Sequence, residues 1–105
     1  MEFLKVMLVD DEDLVIEDIQ ALIDWEAHGF RVVGFAYNGR QAQRLVEEVQ
    51  PDIIFMDVSL PDLDGISLSR KLQERLPEVV IIILSGYMDF KYAQGAVEIG
   101  ALSYI

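Results

Sequence analysis

Three short apolar runs, each stopped by a polar residue, constrain this chain more than any other feature. Lys5-Val6-Met7-Leu8-Val9 runs into Asp10-Asp11. Ile53-Ile54-Phe55-Met56 runs into Asp57, and Val79-Val80-Ile81-Ile82-Ile83-Leu84 runs into Ser85-Gly86. Parallel strands buried on both faces read as continuous apolar stretches of this length. In an open α/β sheet, the crevice outside the carboxyl ends of the strands is where ligands bind. Three carboxylates and a hydroxyl are therefore expected at one sheet edge.

Between these runs lie amphipathic stretches. Leu14, Val15, Ile19, Leu22 and Ile23 recur at helical spacing, with Asp11 or Asp13 placed to cap that helix and Gly29 after its end. Phe30 to Ala36 reads as a second strand, and Asn38-Gly39 as a turn. Ala42, Leu45, Val46 and Val49 form an i, i+3, i+4, i+7 stripe that Pro51 stops. Ser59 to Asp64 is a loop with Pro61, closed by Gly65. Ile66, Leu68, Leu72 and Leu76 mark the next helix, stopped by Pro77. Asp89 can cap a helix with Tyr92, Ala93, Ala96 and Val97 that Gly100 ends, and Leu102 to Ile105 begins a fifth strand. Strand and helix alternate four times before that last strand. The pattern demands a parallel sheet with helices on both faces and right-handed crossovers. A sixth amphipathic element should follow, so residues 1–105 are expected to form a single domain truncated at its C-terminal end.

Composition narrows the function classes. One hundred and five residues suffice for one domain, and the longest apolar run is far short of the ~20 residues of a membrane helix. No basic-then-apolar leader opens the chain. With no cysteine, disulfides and thiolate metal sites are excluded, which fits a cytoplasmic protein. The net charge of −11 opposes contact with nucleic-acid phosphates, so any DNA binding belongs to another domain.

The strand-end acids suggest specific chemistry. Magnesium takes oxygen ligands in a near-octahedral shell and keeps several waters. Asp11 and Asp57 can each supply an oxygen, the Ser59 carbonyl a third, and Asp10 can hold a metal-bound water. A dication there would relieve the repulsion among clustered carboxylates and neutralise charge on a phosphoryl group in transit. Asp57 is then a candidate nucleophile, since aspartate carboxylates form acyl phosphates. Ser85 is placed to bond a phosphoryl oxygen, and Gly86 leaves room beside it. Taken singly, Asp10 or Asp11 is more often a helix cap, Asp57 or Ser85-Gly86 a turn former, and Tyr104 plain core. His28 reads as surface at a helix end and Trp25 as a cover over the core edge. The joint placement of the acids is what points to a site.

At these residues the chain resembles the receiver domain of two-component response regulators. Val9-Asp10-Asp11-Glu12 is similar to the family's acidic pair. Asp57-Val58-Ser59-Leu60-Pro61-Asp62-Leu63-Asp64-Gly65 resembles its phosphoacceptor loop, and Leu84-Ser85-Gly86-Tyr87 its Ser/Thr switch segment. Gly100 to Ile105 resembles the lead-in to its last strand. The resemblance implies a flavodoxin-like (CheY-like) three-layer α/β sandwich with five parallel strands in the order 2-1-3-4-5, the last helix missing. It implies that a sensor histidine kinase transfers a phosphoryl group to Asp57. Mg2+ would be held by Asp10, Asp11, Asp57 and the Ser59 carbonyl. Ser85 would be the phosphoryl-binding switch and Tyr104 the aromatic that swings inward. Ser59 and Tyr87 resemble the positions that tune phosphate lifetime.

One departure stands out. The family's active-site lysine would fall about two residues beyond Ile105. The chain as given is thus expected to phosphorylate and switch poorly, and to form the family's homodimer poorly without the final helix. Trp25 to Gly39 and Gly86 to Ala93 resemble receivers joined to AraC-type helix-turn-helix domains, which implies a covalent DNA-binding output domain. Rival readings are weaker. A phosphohydrolase of the aspartate-nucleophile kind wants an acid where Ser59 stands. A flavin site wants Gly, Ser or Thr where Asp10-Asp11-Glu12 stands. A receiver-like module acting without phosphate remains the alternative, told apart by its weak hold on magnesium.

Overall fold

The computed structural model describes residues 3–57, 60–63 and 65–84. Among the described residues four strands and three helices alternate: β1 (Leu4–Val9), α1 (Asp13–Leu22), β2 (Phe30–Ala36), α2 (Gly39–Val49), β3 (Ile53–Asp57), α3 (Gly65–Arg75) and β4 (Val80–Leu84). A single 3-10 turn, Glu26–His28, sits between α1 and β2. All strand pairs are parallel, in the order β2-β1-β3-β4. The fold is flavodoxin-like, and the four strands take the expected order. The helix expected after Asp89 and the strand expected from Leu102 lie outside the described residues.

Strand alternation splits the core in two. Val6 and Leu8 of β1 with Ile53 and Phe55 of β3 face α1, where Ile16, Ile19, Ile23, Trp25 and Phe30 complete one cluster. Met7, Val9, Ile54 and Met56 point the other way, onto Ala42 and Val46 of α2 and Leu68 and Leu72 of α3. Successive strand residues point to opposite faces, so a strand covered on both sides must be apolar throughout. That accounts for the unbroken runs. Each such side chain contributes about 1.5–3 kcal/mol on burial.

Helix α1 departs from its expected face. Ile16, Ile19 and Ile23 hold the sheet, with Val15 half-buried beside them. Leu14 is 71% exposed and Leu22 62%. Residues two apart on a helix do not share a face, so Ile16 turned inward sends Leu14 out. Neither Asp11 nor Asp13 caps the helix. The N-cap is Glu12, with no side-chain cap bond. Ile66 of α3, expected on the core stripe, is likewise exposed.

Trp25 lies deeper than a cover. It is buried edge-on between Phe30 and Phe55, and its Nε1–H donates to the Ile19 carbonyl at 3.2 Å. His28 is exposed at the end of the 3-10 turn, as its position implies. Gly29 follows that turn rather than α1. Its φ of 87° is left-handed, which glycine adopts without the cost a Cβ imposes.

Asn38 does more than mark a turn. As N-cap of α2 it accepts the Gln41 N–H at 2.8 Å, while Gln41 Oε1 accepts the Tyr37 N–H at 2.9 Å. This reciprocal pair is a capping box displaced by one residue. Gln50 ends α2 in a left-handed turn, ahead of Pro51.

Candidate functional site

The site follows from strand register. Val9 pairs with Met56 across the β1–β3 ladder, so the next residues, Asp10 and Asp57, emerge side by side. Alternation decides their direction. Asp10 continues the row of Val6 and Leu8, and Asp57 the row of Ile53 and Phe55. Both rows face α1, so both carboxylates leave the sheet on one side. Asp11 follows in the turn into α1.

The outcome is convergence. One carboxylate oxygen from each of Asp10, Asp11 and Asp57 lies within 4.8 Å of the others. Asp10 is only 5% exposed, Asp57 is half-buried and Asp11 is exposed. The backbone holds Asp10 from both sides: its N–H donates to the Ala36 carbonyl at 3.1 Å, and its Oδ1 accepts the Glu12 N–H at 3.0 Å. These bonds fix the acid as the chain leaves the sheet.

The donor set tests which ion could fit. It consists of carboxylate oxygens, with no sulfur or imidazole, which suits a hard divalent cation. With Asp10 buried and Asp11 exposed, the cluster is open to solvent on the Asp11 side, which suits an ion that keeps waters, as magnesium does. Among the described residues, no other group of acids converges this way.

The three acids expected together are brought together. Ser59, Ser85 and Tyr104 lie outside the described residues. β3 pairs Asp57 with Leu84, the residue before Ser85, so the strand that leads to Ser85 runs directly beside the Asp57 strand end.

Sequence reasoning passed over Asp62. Its Oδ1 accepts the Gly39 N–H at 2.8 Å and its Oδ2 the Arg40 N–H at 3.1 Å, so the loop after β3 is bonded to the first turn of α2. The Gly39 amide bond chiefly holds the Asp62 carboxyl below the ordinary carboxylate range. The Arg40 amide and the Arg40 guanidinium add to this, while desolvation opposes it. The only signal in the chain was a second acid within a short loop, which reads as solvated surface. Leu60 and Leu63, on either side, are half-buried against the α2–α3 cluster.

A parallel sheet with three acids converging at its carboxyl edge is an α/β domain with a candidate cation site. Comparison with known proteins makes this specific: residues 6–105 match the response regulator receiver domain, and the chain belongs to that family. It is 36% identical over 101 residues to the transcriptional regulatory protein YesN of Bacillus subtilis, covering 96% of this chain and 27% of that protein. A protein-glutamate methylesterase/protein-glutamine glutaminase of Methanospirillum hungatei is 40% identical over 103 residues, covering 95% and 29%. Among solved structures, the receiver domain of AraT, a response regulator from Geobacillus stearothermophilus, superposes with a TM-score of 0.75 at 37% identity, over 90% of this chain and 74% of that one. A two-component transcriptional regulator AraC from Clostridium phytofermentans gives 0.75 at 32% identity, over 89% and 72%. The chain spans between about a quarter and a half of the length of the curated relatives it matches. The protein is thus a signalling domain of two-component systems, of the family whose standard role is to accept a phosphoryl group, and it is homologous to transcriptional regulators. No helix among the described residues is long and apolar enough to cross a membrane.

Proposed function

We propose that Asp57 is the phosphoacceptor of this receiver and that Asp10, Asp11 and Asp57, with the Ser59 carbonyl, hold Mg2+. The observation that carries this reading is the convergence of the three carboxylates within 4.8 Å at the end of β3. The donor is a phosphohistidine of a sensor histidine kinase. An Asp57 carboxylate oxygen attacks phosphorus, a P–O bond forms, and the P–N bond breaks with its electron pair returning to the imidazole, which then takes a proton. The product is an acyl phosphate on Asp57. Bound Mg2+ supplies positive charge against the phosphoryl oxygens.

The chain's own residues prepare this step. β3 pairing presents Asp57 half-buried at the strand end, and the Glu12 amide orients Asp10. The Ser85 hydroxyl then bonds an oxygen of the phosphoryl group on Asp57, and Tyr104 swings inward after it. That is a two-state switch biased by local charge. The domain accepts phosphate without enzymatic turnover on other substrates. It works in the cytoplasm and passes its state to a covalent output domain, an AraC-type DNA-binding module. Relatedness to transcriptional regulators and to AraC-type receivers supports this partner. Incubation with acetyl phosphate and Mg2+, read by peptide mass spectrometry, is expected to place one phosphoryl group on Asp57. Labelling elsewhere, or none in a full-length receiver that contains the family's active-site lysine, overturns the reading.

A further inference from the structure

We propose that Asn38 is a latent deamidation site, and that the bond from the Gly39 amide to Asp62 holds it closed. The proposal is independent of the cation-site reading.

An asparagine followed by glycine is open to attack by its own backbone, because glycine sets no Cβ beside the attacking nitrogen. Asn38 is the only asparagine of the chain, and Gly39 follows it. In the reaction the Gly39 nitrogen attacks Asn38 Cγ, and the new N–C bond closes a five-membered imide. The side-chain nitrogen leaves as ammonia, taking the Gly39 amide proton. Water then opens the imide at either carbonyl, which leaves aspartate or isoaspartate at position 38. Either product adds a negative charge. Isoaspartate also adds a methylene to the backbone and displaces the acceptor that caps the Gln41 amide.

The geometry opposes this attack at three points. The ring closes only with Asn38 Cβ and Gly39 N nearly eclipsed about the Asn38 Cα–C bond, and at a ψ of 172° they are staggered. Asn38 Oδ1 accepts the Gln41 N–H at 2.8 Å, which fixes the carbonyl under attack. The Gly39 N–H donates to Asp62 Oδ1 at 2.8 Å, which fixes the nucleophile. Turning Asn38 toward the eclipsed form breaks this last bond, and Gly39 has little room to turn. It is buried, and a Cβ on it would meet Asp62 Oδ1 and Leu63 Cβ, each at 3.2 Å. Charge acts in the same sense. Asp62, held below the ordinary carboxylate range, is ionised at neutral and higher pH, and a negative charge beside the Gly39 nitrogen opposes loss of its proton. A hydrogen bond to a charged group shifts an opening equilibrium by about ten- to a hundredfold. Asp62 is exposed, so the low end applies, about tenfold.

Incubation in warm, mildly alkaline buffer, with conversion of Asn38 to acid followed by peptide mass spectrometry, tests this. The Asp62→Ala variant is expected to convert about tenfold faster than the unaltered protein, and Asp62→Asn, which keeps one acceptor oxygen, at a rate between. Asn38→Ser keeps a capping oxygen and should show no conversion at that position. Asp52→Ala loosens the fold where the strands start, far along the chain from Asn38, and should leave the Asn38 rate unchanged. Equal rates in the unaltered protein and Asp62→Ala overturn the proposal. So does an equal acceleration in Asp52→Ala, which would show that the site opens only through general unfolding. Conversion as fast in the folded chain as in denaturant also overturns it, since nothing would then hold the site closed.

Discussion

One aspartate, Asp52, stands just before strand β3 and another, Asp57, ends it, and the two are used in opposite ways. At the entry, Asp52 belongs to the backbone. Its Oδ2 accepts the Lys5 N–H at 2.7 Å, its own N–H donates to the Lys5 carbonyl at 2.8 Å, and its carbonyl accepts the Val80 N–H at 3.1 Å. One residue thereby joins β1, β3 and β4 where they start. At the exit, Asp57 meets two other carboxylates. Like charges held together cost free energy, and the fold tolerates it there. The same side chain is an adhesive at one edge of the sheet and a charge store at the other. Strand register and neighbours decide which.

The comparison breaks most decisively if the two acids can be exchanged in role. Asp57→Asn is expected to abolish phosphoryl labelling by acetyl phosphate, while Asp52→Asn leaves labelling near normal by the same mass-spectrometric measurement. Next in size is the response to cation. Mg2+ at a hundred times its dissociation constant should stabilise the fold by about 2.7 kcal/mol, seen as a rise in thermal midpoint that chelation reverses. Asp57→Ala should lose that rise and Asp52→Ala should keep it. A smaller effect belongs to the entry edge. Removing the Asp52 carboxylate leaves the Lys5 amide without its partner, and chemical denaturation of Asp52→Ala should show a loss of about 1–3 kcal/mol. A loss of that size at Asp57 instead would erase the contrast.

The smallest expected effect concerns pH. Asp62 has a folded value below its reference of 3.8, so its contribution to stability is complete above that value. It fades as pH falls through the folded value. The stability gap between the unaltered protein and Asp62→Asn should be full at neutral pH, narrow below about pH 4 and close in stronger acid. Acid titration of both proteins by circular dichroism measures it. Because Asp62 is solvent-exposed, the gap should shrink in high salt.

Continuous apolar runs made the strands legible, because a strand buried on both faces has no room for polar residues. The same runs placed Asp10 and Asp57, since the polar residue that ends a run marks the sheet edge. Helix faces were harder to read. Leu14 and Leu22 satisfied the apolar spacing, yet Ile16 took the inward position. Two apolar stripes on one helix differ only in what they meet across the core, and that is a tertiary fact. Asp62 was illegible for a related reason. Its partners are the amides of Gly39 and Arg40, and backbone amides carry no residue identity. Trp25 was read as a cover over the core edge. Its burial depends on Phe30 and Phe55, which reach it from separate strands.

The β1–β2 ladder contains one irregularity with a wider consequence. Val6 pairs with Val32, but Met7 pairs with Gly34, so Val33 is an extra residue in β2. Among the described strands, β2 lies at one end of the sheet. An extra residue bends a strand and steepens its twist, and a bent border is a poor template for a flat second ribbon. The extra Val33 is expected to make this border a poorer template for edge-to-edge pairing. Deleting it would straighten the border, and the protein would be expected to clump at concentrations where the unaltered chain stays dispersed.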